Sequence, residues 1–167
     1  WRIFRREKRR PLQRRATSTS TAMTRQEAEQ TAFELMATGY NCAESMLRTA
    51  VAHLAIAADG GWLRMATCFG GGVGRSHAEL CGALSGGIMA LGLAYGRDAV
   101  ETSPYAGLDL AAEFRNRFRQ RFGASCCREV LDRLGPQENW AACKRLVADA
   151  AGLLHALLEE QRAKGGR

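Results

Sequence analysis

The sequence predicts an all-α protein, a single-domain bundle of about six helices around a central glycine-rich helix. Three observations carry that expectation. Beyond Met23, apolar residues recur at intervals of three and four, the spacing that gathers them on one helix face. Capping residues and glycine stops fall where those stretches begin and end. Period-two alternation is absent, and Ala and Leu outweigh Val and Ile, so no strand is expected.

Thr24 can cap a first helix to about Thr38, with Ala28, Ala32, Phe33, Leu35 and Met36 turned inward and Gly39 as its stop. Asn41, with Glu44 three residues on, starts a second helix striped by Met46, Leu47, Ala50, Val51 and Leu54. Asp59–Gly60–Gly61 breaks it, and a short helix through Trp62–Phe69 leads to a glycine run, Gly70 to Gly74. Ser76 and Glu79 read as the capping box of the central helix, which carries no charge from Leu80 to Gly96. Gly82, Gly86 and Ala90 line one side of it, where another backbone can approach closely, and Cys81 is expected in its second turn. Ser103–Pro104 opens a helix from Tyr105 to Phe122, with Leu108, Ala111, Phe114 and Phe118 facing in. Arg115, Arg117, Arg119 and Arg121 face out and form a candidate docking surface for an acidic redox partner. Gly123 ends that helix, Ser125 caps a short one to Leu134, and Gly135–Pro136 turns the chain. The last helix runs to about Arg162 with Trp140, Cys143, Val147, Leu154 and Leu157 inward.

The formal net charge of +7 resembles a nucleic-acid signal, but its location argues otherwise. Residues 1–22 hold eight Arg/Lys against one Glu, so the rest of the chain is neutral. Residues 1–22 are read as a disordered basic tail or upstream extension, with Met23 as the simplest initiator. Their composition also suits a transit peptide, or a basic arm for nucleic acid or anionic lipid. Residues 23–167 are read as an all-helical four-cysteine domain without nucleic-acid affinity. The uncharged stretch from Leu80 to Gly96 is glycine-rich and shorter than the roughly 20 apolar residues a membrane span needs. No transmembrane segment is expected, and the expected setting is soluble and cytoplasmic, with a homodimer left open.

The chemistry rests with six cysteines: Cys42, Cys68, Cys81, Cys126, Cys127 and Cys143. None has C-x-x-C spacing, which argues against zinc ribbons, thioredoxin-type motifs and ferredoxin runs, and no C-x-x-C-H exists for covalent haem. Several fall near expected helix N-termini, where free N–H groups and the macrodipole favour a thiolate. Cys42, Cys81, Cys127 and Cys143 are expected to point inward from four helices and could meet. Cys126 shares the opposite side with Glu129 and Arg133. Burial as small hydrophobes is the alternative.

The run Cys81–Gly82–Ala83–Leu84–Ser85–Gly86, preceded by Phe69–Gly70–Gly71–Gly72 and followed by Ala90–Leu91–Gly92–Leu93, resembles the family of redox-active proteins named for its C–GCAxxG–C–C pattern. The other family cysteines match in order. Cys42 lies in Tyr40–Asn41–Cys42–Ala43–Glu44, Cys127 in Phe122–Gly123–Ala124–Ser125–Cys126–Cys127–Arg128–Glu129, and Cys143 in Cys143–Lys144–Arg145–Leu146–Val147. The resemblance covers roughly Arg25 to Leu158. It implies a helical protein of bacterial type with four defining cysteines and a redox role. The same kind of domain is similar to part of the split-Soret cytochromes, which implies a four-cysteine iron–sulfur or related metal centre; their haem motif is missing here. Cys68 and Cys126 lie outside the four-cysteine pattern, although Cys126 competes with Cys127 as the family-equivalent thiol.

Three mechanisms follow as expectations. Cys42, Cys81, Cys127 and Cys143 hold an iron–sulfur cluster that transfers electrons to an unidentified partner. Alternatively two of them cycle between dithiol and disulfide, with Cys42 or Cys81 as nucleophile. Alternatively they bind zinc in a non-catalytic, metal-stabilised binding module. The glycine run lacks the Gly-Lys-Ser/Thr of a phosphate loop and reads as a tight turn near the cysteines. His77 is a candidate fifth ligand or proton carrier, more simply an exposed first-turn residue, while His53 and His155 read as partly buried structural residues.

Overall fold

The computed structural model describes residues 23–54 and 60–165. The basic segment 1–22 and Asp59 of the expected break lie outside the described residues. Among the described residues there are seven α-helices and one 3-10 helix: α1 (Arg25–Ala37), α2 (Cys42–Leu54), α3 (Gly60–Met65), the 3-10 helix Ala66–Phe69, α4 (Gly82–Tyr95), α5 (Tyr105–Phe122), α6 (Cys127–Leu134) and α7 (Ala141–Ala163). No strand occurs among the described residues, so the all-α expectation holds.

Local chemistry sets the boundaries. Thr24 caps α1 in a full capping box, its hydroxyl accepting from the Glu27 N–H while the Glu27 carboxylate accepts from the Thr24 N–H. Asn41 does the same work for α2: its Oδ1 accepts from Ala43 and Glu44, and Glu44 returns the bond to the Asn41 N–H. That cap is also tied to the 3-10 helix, because Asn41 donates to the Thr67 carbonyl and the Thr67 hydroxyl donates to Glu44. Gly123 ends α5 in the left-handed region at φ 80°, where a side chain would be strained. No helix among the described residues is long and apolar enough to cross a membrane.

Helix α4 is buried on two sides. Its Gly86 meets the Ala43 carbonyl and Met46 Cβ of α2, while Gly87 faces the Phe114 ring of α5. A β-carbon at either position would collide with those atoms, so α4 lies closer to its neighbours than a side-chain-bearing helix could. The stripe Leu110, Phe114, Phe118 forms the inner face of α5. Leu108, expected inside, is 58% exposed, because the buried row advances strictly by four and passes through Leu110. Trp140 is also outside rather than in register with Cys143: it precedes α7 in a left-handed conformation and is 51% exposed.

Helices α2 and α7 run side by side in the same direction. Cys42 and Cys143 influence each other at one end, and the Arg162 guanidinium donates to the His53 carbonyl at the other. Helix α1 lies antiparallel on α7, with the Arg25–Glu29 ion pair over Gly152 and the Met23 carbonyl bonded to His155. Half of the expected outward arginine row is engaged internally: Arg117 forms two bonds to Glu160 and one to Glu113, and Arg121 pairs with Asp149.

Candidate redox or metal centre

The four candidate thiols sit at four helix starts. Cys42 is the first residue of α2, and its sulfur sits against the Gly82 α-carbon. A β-carbon at position 82 would collide with that sulfur and lie 3.1 Å from both Ala43 N and Phe69 O. Cys81 is not in the second turn of α4 but is its N-cap residue, at φ −56° and ψ 134°. The Ser76 hydroxyl does accept from Ala78 N–H, yet it starts no helix. The chain instead runs on to pair with a distant segment.

That pairing was invisible in the sequence. Leu80 and Cys126 form an isolated antiparallel bridge, in which Cys81 N–H donates to Ser125 O at 2.8 Å and Cys127 N–H donates to Glu79 O at 2.8 Å. Arg128 N–H adds a bond to His77 O. The bridge sets Cys81 and Cys127 side by side, and the proton is held on Cys81 while charge is favoured on Cys127. It also makes Cys126, not Ser125, the N-cap of α6 and turns the Cys126 thiol towards the His77 and Ala78 carbonyls. Cys143 enters from the first turn of α7, where its N–H is capped by Gln137 Oε1 at 3.2 Å. Cys81 and Cys127 are buried, Cys42 and Cys143 half-buried, and Cys68 exposed.

The glycine run covers the group. Gly71, Gly72, Val73, Gly74 and Arg75 all have φ between +60° and +68°, a left-handed helical turn closed by bonds such as Gly74 N–H to Cys68 O. Such runs are disfavoured for L-residues, by about 1–2 kcal/mol each for those with a side chain. The turn presses Gly72 onto Cys127, whose β-carbon would lie 2.6 Å from an added Cβ, and its Gly71 N–H favours charge on the Cys42 sulfur. The expectation of a tight turn beside the cysteines holds. Val73 is β-branched and 42% exposed, so Val73→Gly should stabilise the fold by about 0.5–1 kcal/mol through relief of strain. Denaturant titration would read the change, and a destabilised variant would contradict the description of the turn. His77 is half-buried rather than exposed, and it too has positive φ.

The family model described as "Putative redox-active protein (C_GCAxxG_C_C)" matches residues 40–157. The chain belongs to this family. The matched stretch starts just before Cys42 and contains α2 to most of α7, whereas α1 lies ahead of it. No curated protein and no solved structure matches the chain.

In this C_GCAxxG_C_C protein the four thiols share one electrostatic environment. Burial raises the Cys42 thiol, partly offset by the Gly71 N–H, and the nearby Cys127 charge raises it further. Cys81 is held well above the usual thiol range, first because it donates to Cys127 and then by burial and the Cys42 charge. Cys143 is pushed up to about 11 by burial and by Cys42 and Cys127. Cys127 alone moves down, because it accepts from Cys81 and faces the Arg128 charge. The expectation that helix N-termini make Cys42 and Cys81 the thiolates is therefore corrected: desolvation and mutual repulsion outweigh the N–H groups there.

Sequence reasoning named the four thiols but missed the parts that hold them. Gly71, Gly72, the 79–81/125–127 backbone pairing and Arg128 all shape the site. The glycine run carried a signal, as a tight turn near the cysteines, and so did Gly82, as part of a period-four row of small residues on one helix face; the backbone pairing and Arg128 carried none.

Proposed function

We propose that Cys42, Cys81, Cys127 and Cys143 ligate an iron–sulfur cluster, and that the protein is an electron carrier. The observation that carries this reading is the placement of four thiols at four helix starts beneath the glycine turn, near enough to shift one another's ionisation, with Gly82 and Gly72 leaving room for sulfur. An all-sulfur donor set suits iron–sulfur clusters and zinc, and N–H groups of Gly71, Ala43 and Ala83 directed at sulfur suit a negatively charged centre. When bound, the cluster would supply one-electron chemistry. The chain's own part is to hold the sulfurs from separate rigid helices, to stabilise their charge with backbone N–H groups and Arg128, and to keep water from Cys81 and Cys127. Six free cysteines suit a reducing compartment such as the cytoplasm.

One observation favours a second reading, dithiol–disulfide exchange. Cys127 is the lowered thiol, and Cys81, the raised one, sits beside it across the backbone bridge. Cys127 thiolate would attack a partner disulfide, and Cys81 would then displace the partner's second thiol. The pair ends as one S–S bond, and the partner leaves with both electrons and protons as a dithiol.

The test is made on the full chain purified without oxygen, assayed for visible absorbance, iron, acid-labile sulfide and zinc. Iron and sulfide in near-equal amounts, with visible bands, are expected. Colourless, metal-free protein with a reversible Cys81–Cys127 disulfide would overturn the cluster in favour of exchange. Zinc removable only by unfolding would make the domain a non-catalytic metal-stabilised module.

A further inference from the structure

A second group of ligand-type side chains lies at the opposite end of α2 and α7. His53 is eleven residues beyond Cys42 on α2, and His155 is twelve beyond Cys143 on α7, so about 16–18 Å of helix separates the two places. One donor atom from each of His53, His155 and Glu159 lies within 4.8 Å of the others. His155 and Glu159 are four apart and share a face of α7, and the two imidazole rings stand 4.5 Å apart.

Three features separate this group from an ordinary surface cluster. The His53 side chain is 2% exposed, yet neither ring nitrogen has a hydrogen-bond partner; its Nε2 is 3.4 Å from Glu159 Oε1 without the alignment of a bond. A buried ring with both nitrogens unsatisfied is costly unless something binds it. Next, His155 Nε2–H donates to the Met23 carbonyl at 2.7 Å, which fixes the tautomer and leaves Nδ1 with a free lone pair. Metal-bound histidines are commonly held by such a second bond. Finally, both rings border a small apolar cavity between α1, α2 and α7.

We propose that His53, His155 and Glu159 form a second binding site, separate from the cysteine centre, for a divalent transition-metal cation such as Zn²⁺. Two imidazoles and a carboxylate are a nitrogen–oxygen donor set for such ions. Tetrahedral ligand atoms around zinc stand about 3.4 Å apart, the separation His53 Nε2 and Glu159 Oε1 already have, so the remaining approach is that of the His155 donor. The half-exposed Glu159 side chain is free to follow it. His53 is available as a neutral ligand at neutral pH, because burial and the nearby His155 and Arg162 push it down to about 4 against the opposing pull of Glu159. Arg162 Nη1 bonds Glu159 Oε1 at 2.7 Å and competes with the cation for the carboxylate.

Co²⁺ added to the anaerobic full chain tests this, because its two sites read differently. Cobalt on thiolates gives strong near-ultraviolet charge-transfer absorption. Cobalt on imidazoles gives paramagnetically shifted ring N–H proton resonances, and the His155 N–H is shielded from exchange by Met23. The expected result is one imidazole-type event with its shifted protons. Glu159→Gln and His155→Gln should weaken it at least tenfold, Arg162→Gln should tighten it, and Cys143→Ser should leave it unchanged. Glu159 is surface-accessible, so its variant tests the site without unfolding it. Absence of shifted imidazole protons, or binding indifferent to Glu159→Gln, overturns the site whatever the cysteines hold.

Discussion

Gly82→Ala is expected to cost about 1–3 kcal/mol of stability and to abolish metal loading, although alanine is the better helix former. The added methyl collides with the Cys42 sulfur and is wedged between Ala43 N and Phe69 O, each 3.1 Å away and each backbone. A flexible side chain could yield, but these backbone atoms belong to the starts of α2 and the glycine turn, whose caps are bonded to one another. Relief therefore requires α2 to retreat from α4, and Cys42 leaves the thiol group with it. Gly92→Ala, in the same helix, is the control. An added Cβ at Gly92 meets nothing within 4 Å, so that variant should gain about 0.5–1 kcal/mol and keep its metal content. Denaturation curves and metal assays on both variants decide the matter; equal behaviour would refute the close approach of α2 and α4.

Cys81→Ser should bring iron and sulfide to background, while Cys68→Ser and Cys126→Ser retain wild-type loading. Cys81 is the most buried of the four and lies beside Cys127, where the Cys42 charge also reaches it. Serine keeps the backbone bond to Ser125 but offers a hydroxyl in place of a thiolate, and its partly satisfied burial costs about 1–3 kcal/mol. Cys68 is exposed on the 3-10 helix, and the Cys126 thiol is turned to carbonyls. Loss of loading in Cys126→Ser but not Cys127→Ser would exchange the two residues in the assignment.

Much of the helical framework was legible because it depends on neighbours in sequence. Thr24 and Asn41 caps, the Pro104–Tyr105 start and the Gly123 and Gly135 stops are local, and they fall where expected. The Gly82–Gly86 face was legible too, as a period-four row of small residues. What failed was set by distant partners. Ser76 and Glu79 form a capping signature, but the chain from His77 to Cys81 gains three bonds by pairing with residues 125–128, and the helix start moves to Gly82. The same pairing turns the Cys126 thiol to the His77 and Ala78 carbonyls and sets Cys127 beside Cys81, an arrangement no local pattern states. Charge states were misjudged because a helix N-terminus is visible in sequence, whereas burial of Cys42 and Cys81 among other thiols is not. The histidine–glutamate group needed α2 and α7 to be parallel, which no local pattern states.

Site-resolved alkylation of the anaerobic full chain, before and after removal of metal by a chelator, tests the central claim most directly. Cys42 and Cys143 are the informative residues, since both are only half-buried and burial alone does not shield them. In the loaded protein only Cys68 and Cys126 should be labelled; after removal Cys42 and Cys143 should become labelled as well. Labelling of Cys42 or Cys143 in protein that still carries its full iron would contradict the four-cysteine centre.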